Sequence, residues 1–389
     1  MVSNTNQAVI HQRINSIDIM RGLVMLIMLL DHVRERFFLH LQVSDPMDIN
    51  ATPPALYFSR LAAHLCAPTF VFLTGLSAWL YQHSGSTGNR PLTGFLAKRG
   101  LFLIGLEVSL ITFSWMGSFA TIYLQVMWAI GLSMLALAAL HQLPRWMLLV
   151  LASLLVFGHN TLTPIHFNVD EWGYSLWTIL HDRGYLISDS VINVKVSYPL
   201  LPWIGVIVFG YLAGPLYHKL TAAKLRQRWL VGLATGCLAL FALLRGGNVY
   251  GETLPWSVGD NSLISLMSLL NLTKYPPSLA FLLFTLGLMF IGLWAMERLR
   301  QPWAQRAGAV LAHFGGAPMF FYLLHLYLLL ALYQIALMIW GTNHGALFGV
   351  DDVRQIWLIT LGLIVLLYWP TKSFAAFKRR SQLAWVKYL

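Results

Sequence analysis

Apolar runs of close to 20 residues, parted by polar stretches, recur along the whole chain. A run of that length crosses the ~30 Å hydrocarbon core of a bilayer as a helix. The pattern predicts about ten transmembrane helices, at 18–39, 56–81, 99–116, 119–140, 146–158, 199–217, 229–245, 276–296, 311–340 and 354–371. The fifth run is short. The ninth carries Gly315, Gly316 and Pro318, so its first turns are expected to break or re-enter. The first run has an apolar core of only nine residues, Gly22 to Leu30, and is followed by Asp31-His32-Val33-Arg34-Glu35-Arg36 rather than small residues. That is wrong for signal cleavage and reads as an uncleaved first helix.

Composition sharpens this. Hydrophobic types make up 57% of the 389 residues and charged types 11%, against about 25% in a soluble domain. The surface this implies is largely lipid. The fold class expected is therefore all-α: one polytopic helix bundle over 1–371, with a basic tail at 372–389 read as a membrane-surface helix. The net charge of +11 would suggest nucleic acid in a soluble protein. Here it reflects retention of basic loops in the cytoplasm and contact with anionic headgroups, with no nucleic-acid partner. With the N-terminus inside, 18 of the 26 basic residues fall on the cytoplasmic side, among them Arg13, the Lys219–Arg228 stretch and Lys387. An even number of spans then puts both termini in the cytoplasm. Cys66 and Cys237 lie in apolar runs, so no structural disulfide is expected.

Candidate chemistry concentrates on the first helix. A charged group in hydrocarbon is costly and normally faces the bundle interior with a task. Asp18 and Arg21 share a face and can pair. Arg21 and His32 are eleven residues apart, roughly 16 Å and close to three whole turns, so one face offers a cation toward the cytoplasm and an imidazole toward the outside. The alternative is that Arg21 reaches the headgroups while Asp31-His32 merely ends the helix. His64 follows Arg60 by four residues, His313 and His325 lie in the ninth run, and Glu107 sits mid-span, where a carboxylate needs a partner or a proton. No pair of histidines or cysteines has metal-ligand spacing, so no metal is expected. Nucleotide-cradling loops and the hydrolase elbow are missing too.

The opening Arg13-Ile14-Asn15-Ser16-Ile17-Asp18-Ile19-Met20-Arg21-Gly22, running to Asp31-His32, resembles the transmembrane acyltransferase superfamily. Its acyltransferase-3 branch shows an arginine, ten residues, then a histidine, which Arg21 and His32 match. Three further stretches make the chain similar to the heparan-α-glucosaminide N-acetyltransferase-like branch. They are Ala67 to Ser77, Tyr198 to Gly205 with Gly210 and Gly214, and Phe314 to Pro318 with Tyr322 to Leu326. The animal lysosomal member carries its proposed active histidine in the loop after the first helix, where this chain has His40 at a different spacing. Heparan sulfate itself is therefore not implied as acceptor.

The resemblance implies an acyl-CoA-dependent O- or N-acyltransferase. It would take an acyl group, most simply acetyl, from cytoplasmic acyl-CoA to an extracytoplasmic sugar hydroxyl or amine, and would sit in a bacterial inner membrane. His32 is then the expected base, with Asp31, His64 and His325 as catalytic helpers. Arg21, Lys98, Arg99 and Arg226 would hold the CoA phosphates, although topology alone also explains the Lys219–Arg228 cluster that contains Arg226. The long outer loops 159–198 and 246–275 would hold the acceptor through Trp172, Trp177, Asp182, Trp256 and Asp260, some of which an interfacial aromatic belt would equally use. A transporter or flippase for a small polar or lipid-linked solute is the main alternative, and a non-catalytic sensor or scaffold the next. The oligomeric state, a homodimer included, is left open.

Overall fold

The computed structural model describes residues 2–84, 88–383 and 385–388, with side chains from residue 15 onward apart from 116 and 387. The side chains of Arg13 and Lys387, and Ala384 and Leu389 of the tail, therefore fall outside the description. In chain order the elements are α1 (Val2–Phe37), α2 (Pro54–Ala63), α3 (Cys66–Gln82), α4 (Thr93–Leu106), a π turn (Glu107–Ile111), α5 (Thr112–Met116), β1 (Thr121–Leu124), α6 (Val126–Leu140), α7 (Arg145–Phe157), α8 (Tyr174–Leu180), β2 (Gly184–Ile187), β3 (Asn193–Val196), α9 (Leu201–Ala213), α10 (Ala223–Gly246), α11 (Ser262–Leu269), α12 (Leu279–Met296), α13 (Pro302–Gly316), α14 (Pro318–Trp340) and α15 (Val353–Arg380).

The protein is mostly helical, at 67%. Among the described residues, five stretches, Pro54–Gln82, Ala223–Gly246, Leu279–Met296, Pro318–Trp340 and Val353–Arg380, are long and apolar enough to cross a membrane. Val126–Leu140, Arg145–Phe157 and Leu201–Tyr217 are apolar but shorter. On α15, Leu358, Leu361, Val365 and Leu366 are all exposed, as expected of side chains that face lipid. Integral membrane character follows from these helices.

Two expectations need correction. The fold is not purely helical: β1, β3 and β2 form a small sheet in that order, β1 parallel to β3 and β2 antiparallel to it. The apolar run 119–140 therefore begins as strand, with Thr121 opposite Asn193 and Leu124 opposite Val196, and turns helical only at Val126. Hydropathy does not separate an apolar strand from an apolar helix; the Thr-Ile-Tyr stretch favours strand. The Glu107 carboxylate settles where the helix starts, because Oε2 accepts from the amides of Met127 and Trp128 at 2.8 and 3.0 Å. The ninth run breaks near its start, as Gly315, Gly316 and Pro318 suggested, into two helices. α13 ends at Gly316, Ala317 leaves helical geometry with φ −136° and ψ 59°, and Pro318 opens α14.

The chain packs as two compact units, and residue 371 falls inside α15. One unit comprises Met1–Cys66, Ser114–Gly117 and Met289–Leu389, the other Ala67–Phe113 and Ser118–Leu288. In the first, α1 lies against α13, α14, α15 and α2. The crossing of α1 with α13 is close enough to demand glycine on both sides. A Cβ at Gly22 would stand 1.9 Å from the Leu311 carbonyl oxygen, and one at Gly315 1.9 Å from that of Asp18. Such small-residue contacts are how helices associate where lipid removes the hydrophobic drive. In the second unit α3 meets α9 the same way, through Gly75 against Ile207 and Gly210 against Phe72. α15 starts at a capping box, with Asp352 and Gln355 exchanging side-chain bonds to the turn.

Candidate functional site

The most unusual polar arrangement lies in the first unit, where α1 meets α14. Nδ1 of His32 is 2.8 Å from Nε2 of His325, and His325 is fully buried. The other nitrogen of His325, Nδ1, is 2.8 Å from the Phe321 carbonyl oxygen one turn back on α14. A carbonyl only accepts, so His325 Nδ1–H donates to it. With His325 neutral, its Nε2 carries a lone pair and accepts from His32 Nδ1–H. The chain of bonds thus places the lone pair of His32 on Nε2, the position of a general base. Edge-on rings of Trp115, at 5.2 Å between centroids, and Tyr322, at 5.8 Å, enclose the imidazole.

Asp31 turns away into a buried ion cluster. Its Oδ1 accepts from Arg34 Nε and Nη2 at 2.9 and 2.8 Å, and its Oδ2 from Arg60 Nη1 at 2.9 Å. Glu35 adds a second carboxylate, 3.2 Å from Arg34 and 3.9 Å from Arg60. Two carboxylates and two guanidiniums balance, which is what makes burial tolerable. The cluster ties α2 to α1 and engages both oxygens of Asp31, which serves His32 through placement of the helix. His64 is buried where α2 ends. Arg36, next along α1, donates to the carbonyls of Trp115 and Ser114 at 2.5 and 2.7 Å. It thereby pins the 114–117 segment beside His32.

Three turns toward the N-terminus of α1, Arg21 donates to Asp18 at 2.8 Å and lies 3.4 Å from the Gly315 carbonyl oxygen. Lys378 and Arg379 of α15 are near enough to act electrostatically on Asp18. Lys372 lies over the rings of Tyr368 and Trp369 at 5.4 and 5.0 Å, and Tyr368 also meets His313 edge-on. One end of the first unit therefore gathers Arg21, Lys378 and Arg379 around the Asp18 carboxylate, with Lys372 near His313.

The remaining expected residues stand in the second unit. Lys98 is exposed, Arg99 lies 6.0 Å over Phe95, and Arg226 is buried over Tyr217 at 5.3 Å. Trp177 stacks on His181, and Asp182 accepts from His181 and His166, each at 2.9 Å. Trp172 is 96% exposed, whereas Trp256 is held by Gly246 and Asn248. Asp260 is exposed. His40 lies three residues beyond α1, in the first unit. It stacks on His344 with centroids 3.7 Å apart, and burial together with His344 holds its pKa below the usual histidine value, against the pull of Asp351.

The profile described as heparan-alpha-glucosaminide N-acetyltransferase, catalytic, matches residues 13–242, more than half of the chain. The chain belongs to this family. A search of curated proteins returns no match. Membership indicates a transferase of the acetyltransferase kind, set in a membrane. The match includes Arg21, Asp31, His32 and His64; His325 and the cations of α15 lie beyond it. Sequence reasoning singled out His32 and His325 separately. It missed Arg36, Trp115, Lys372, Lys378 and Arg379 as parts of these two clusters. Tyr322 stood in a quoted motif, three residues from His325, and was one available signal.

Proposed function

We propose that the protein is a membrane acyltransferase. It moves an acyl group, acetyl in the simplest case, from cytoplasmic acyl-CoA to an extracytoplasmic acceptor, a sugar hydroxyl or amine. The observation that carries this is the bond chain Phe321 carbonyl, His325, His32. It orients one histidine, fixes its tautomer and leaves Nε2 as proton acceptor, the usual dress of a general base beside a nucleophile. His32 Nε2 takes the proton of the acceptor as its oxygen or nitrogen attacks the thioester carbonyl carbon. The C–S bond breaks, and the proton passes to the leaving thiolate.

Arg21, supported by Lys372, Lys378 and Arg379, would bind the CoA phosphates. The roughly 16 Å of α1 between Arg21 and His32 would let the pantetheine arm bring the thioester to the base. Lys98, Arg99 and Arg226, in the second unit, are not used in this reading. The acceptor would bind through Trp177 and Asp182, with Trp172, Trp256 and Asp260 on the neighbouring outer loops. Ten spans, cytoplasmic termini and a bacterial inner membrane complete the proposal, supported by the basic bias of the inner loops. A transporter would need an open break in α13–α14. Here the break is filled on one side by the backbone contact of Gly315 with Asp18.

The test is acetyl-CoA binding to the purified protein in detergent, read as a thermal shift. A clear shift, lowered in Arg21→Ala and kept in His32→Ala, is expected. No shift with acetyl-CoA, longer acyl-CoAs or free CoA in folded protein would overturn the reading in favour of transport.

A further inference from the structure

Beside His32 there is a hydrogen-bond donor with nothing to donate to. The indole Nε1–H of Trp115 is buried and has no partner among the described residues. Trp N–H groups usually find a partner when buried, and an orphaned buried donor has a cost that calls for an explanation. The ring is not loosely placed. Arg36 holds the backbone carbonyls of Ser114 and Trp115, its guanidinium lies 5.8 Å over the indole, and the indole meets the His32 ring edge-on. A pinned N–H donor thus stands next to the base.

We propose that Trp115 is a catalytic residue whose Nε1–H donates to the thioester carbonyl oxygen and holds the oxyanion formed on it. The proposal rests on the acyltransferase reading. As the acceptor oxygen or nitrogen bonds to the carbonyl carbon, the C=O π pair moves onto oxygen, where Nε1–H receives it. When the tetrahedral intermediate collapses, that pair re-forms C=O and the C–S bond breaks, releasing CoA as the thiol with the proton collected by His32. A donor aimed at charge that develops only in the transition state accelerates the chemical step without tightening donor binding. Substrate thus supplies the partner that the free protein lacks.

The test measures release of CoA thiol from acetyl-CoA by purified protein in detergent, with glucosamine as acceptor and with water alone. Trp115→Phe keeps the aromatic contact and removes the N–H. Its turnover should fall about 10²-fold, with KM for acetyl-CoA and the pH profile unchanged, and Trp115→His should recover part of the loss. If Trp115→Phe does not fold, replacing the indole by the isosteric benzothiophene at position 115 removes the N–H alone and should give the same loss. Turnover within threefold of the parent protein in a folded variant would overturn the proposal while the acyltransferase reading stood. No thiol release by the parent protein under either condition would withdraw both.

Discussion

Two buried histidines, His32 in the first unit and His159 in the second, show why burial alone does not mark a base. Both are nearly inaccessible. His159 follows α7 and has a backbone carbonyl against each ring nitrogen, Val156 at Nδ1 and Pro277 at Nε2, 2.9 and 2.8 Å away. A neutral ring has one N–H to donate, so it bonds one of the two carbonyls while the other closes off the second nitrogen, and it offers no site for a substrate proton. His32 instead gives one N–H to another histidine, which leaves the second nitrogen as an acceptor. The difference lies in the partners: His159 faces a backbone carbonyl at each nitrogen, whereas His32 is oriented at Nδ1 by the acceptor nitrogen of another histidine.

The comparison breaks most directly at His32. His32→Ala should lower turnover about 10³-fold while retaining the acetyl-CoA thermal shift. A variant with near-normal turnover would move the chemistry elsewhere, His40 being the next histidine to test. His325 should matter less, since it acts through His32 as a positioning residue. His325→Leu should cost about 10²-fold in turnover and move the pH profile, whereas His325→Gln, which keeps an acceptor, should recover much of the rate. Equal losses in both variants would point to packing rather than tautomer control.

His159 should affect stability alone. Burial pushes its pKa down to about 4 and outweighs the two carbonyls, which favour the protonated ring. A histidine with a folded pKa below its unfolded value of ~6.5 stays neutral in the fold while the unfolded chain takes up the proton. Its contribution is fully present above about pH 6.5 and is lost as pH falls toward about 4. The loss is on the order of 3 kcal/mol. Melting temperature against pH should show this decline in the parent protein and a flatter profile in His159→Gln, with acetyl-CoA binding unaffected. An unchanged slope in the variant would assign the decline to other groups.

Much of the site was visible as isolated residues. The eleven-residue interval from Arg21 to His32 holds on α1 because a helix converts sequence spacing directly into face and depth. Asp31, expected as a catalytic helper, meets Arg34 and Arg60 instead. Glu107 was expected to need a partner, and it found the start of α6, a choice local spacing could not reveal. The basic residues at the end of α15 read in the sequence as topology signals and a surface tail. Their placement beside Asp18 and His313 depends on α15 packing along both α1 and α13.

Membrane residence, helical character and the polar face of α1 follow from the sequence by itself, because hydropathy and helical periodicity are local properties. The strand at β1 and the partners of each buried polar group were decided only by the tertiary structure. Helix ends and buried hydrogen bonds are satisfied by whatever group packing brings near. For His32 that group is His325, 293 residues further along the chain, and no local pattern encodes such a meeting.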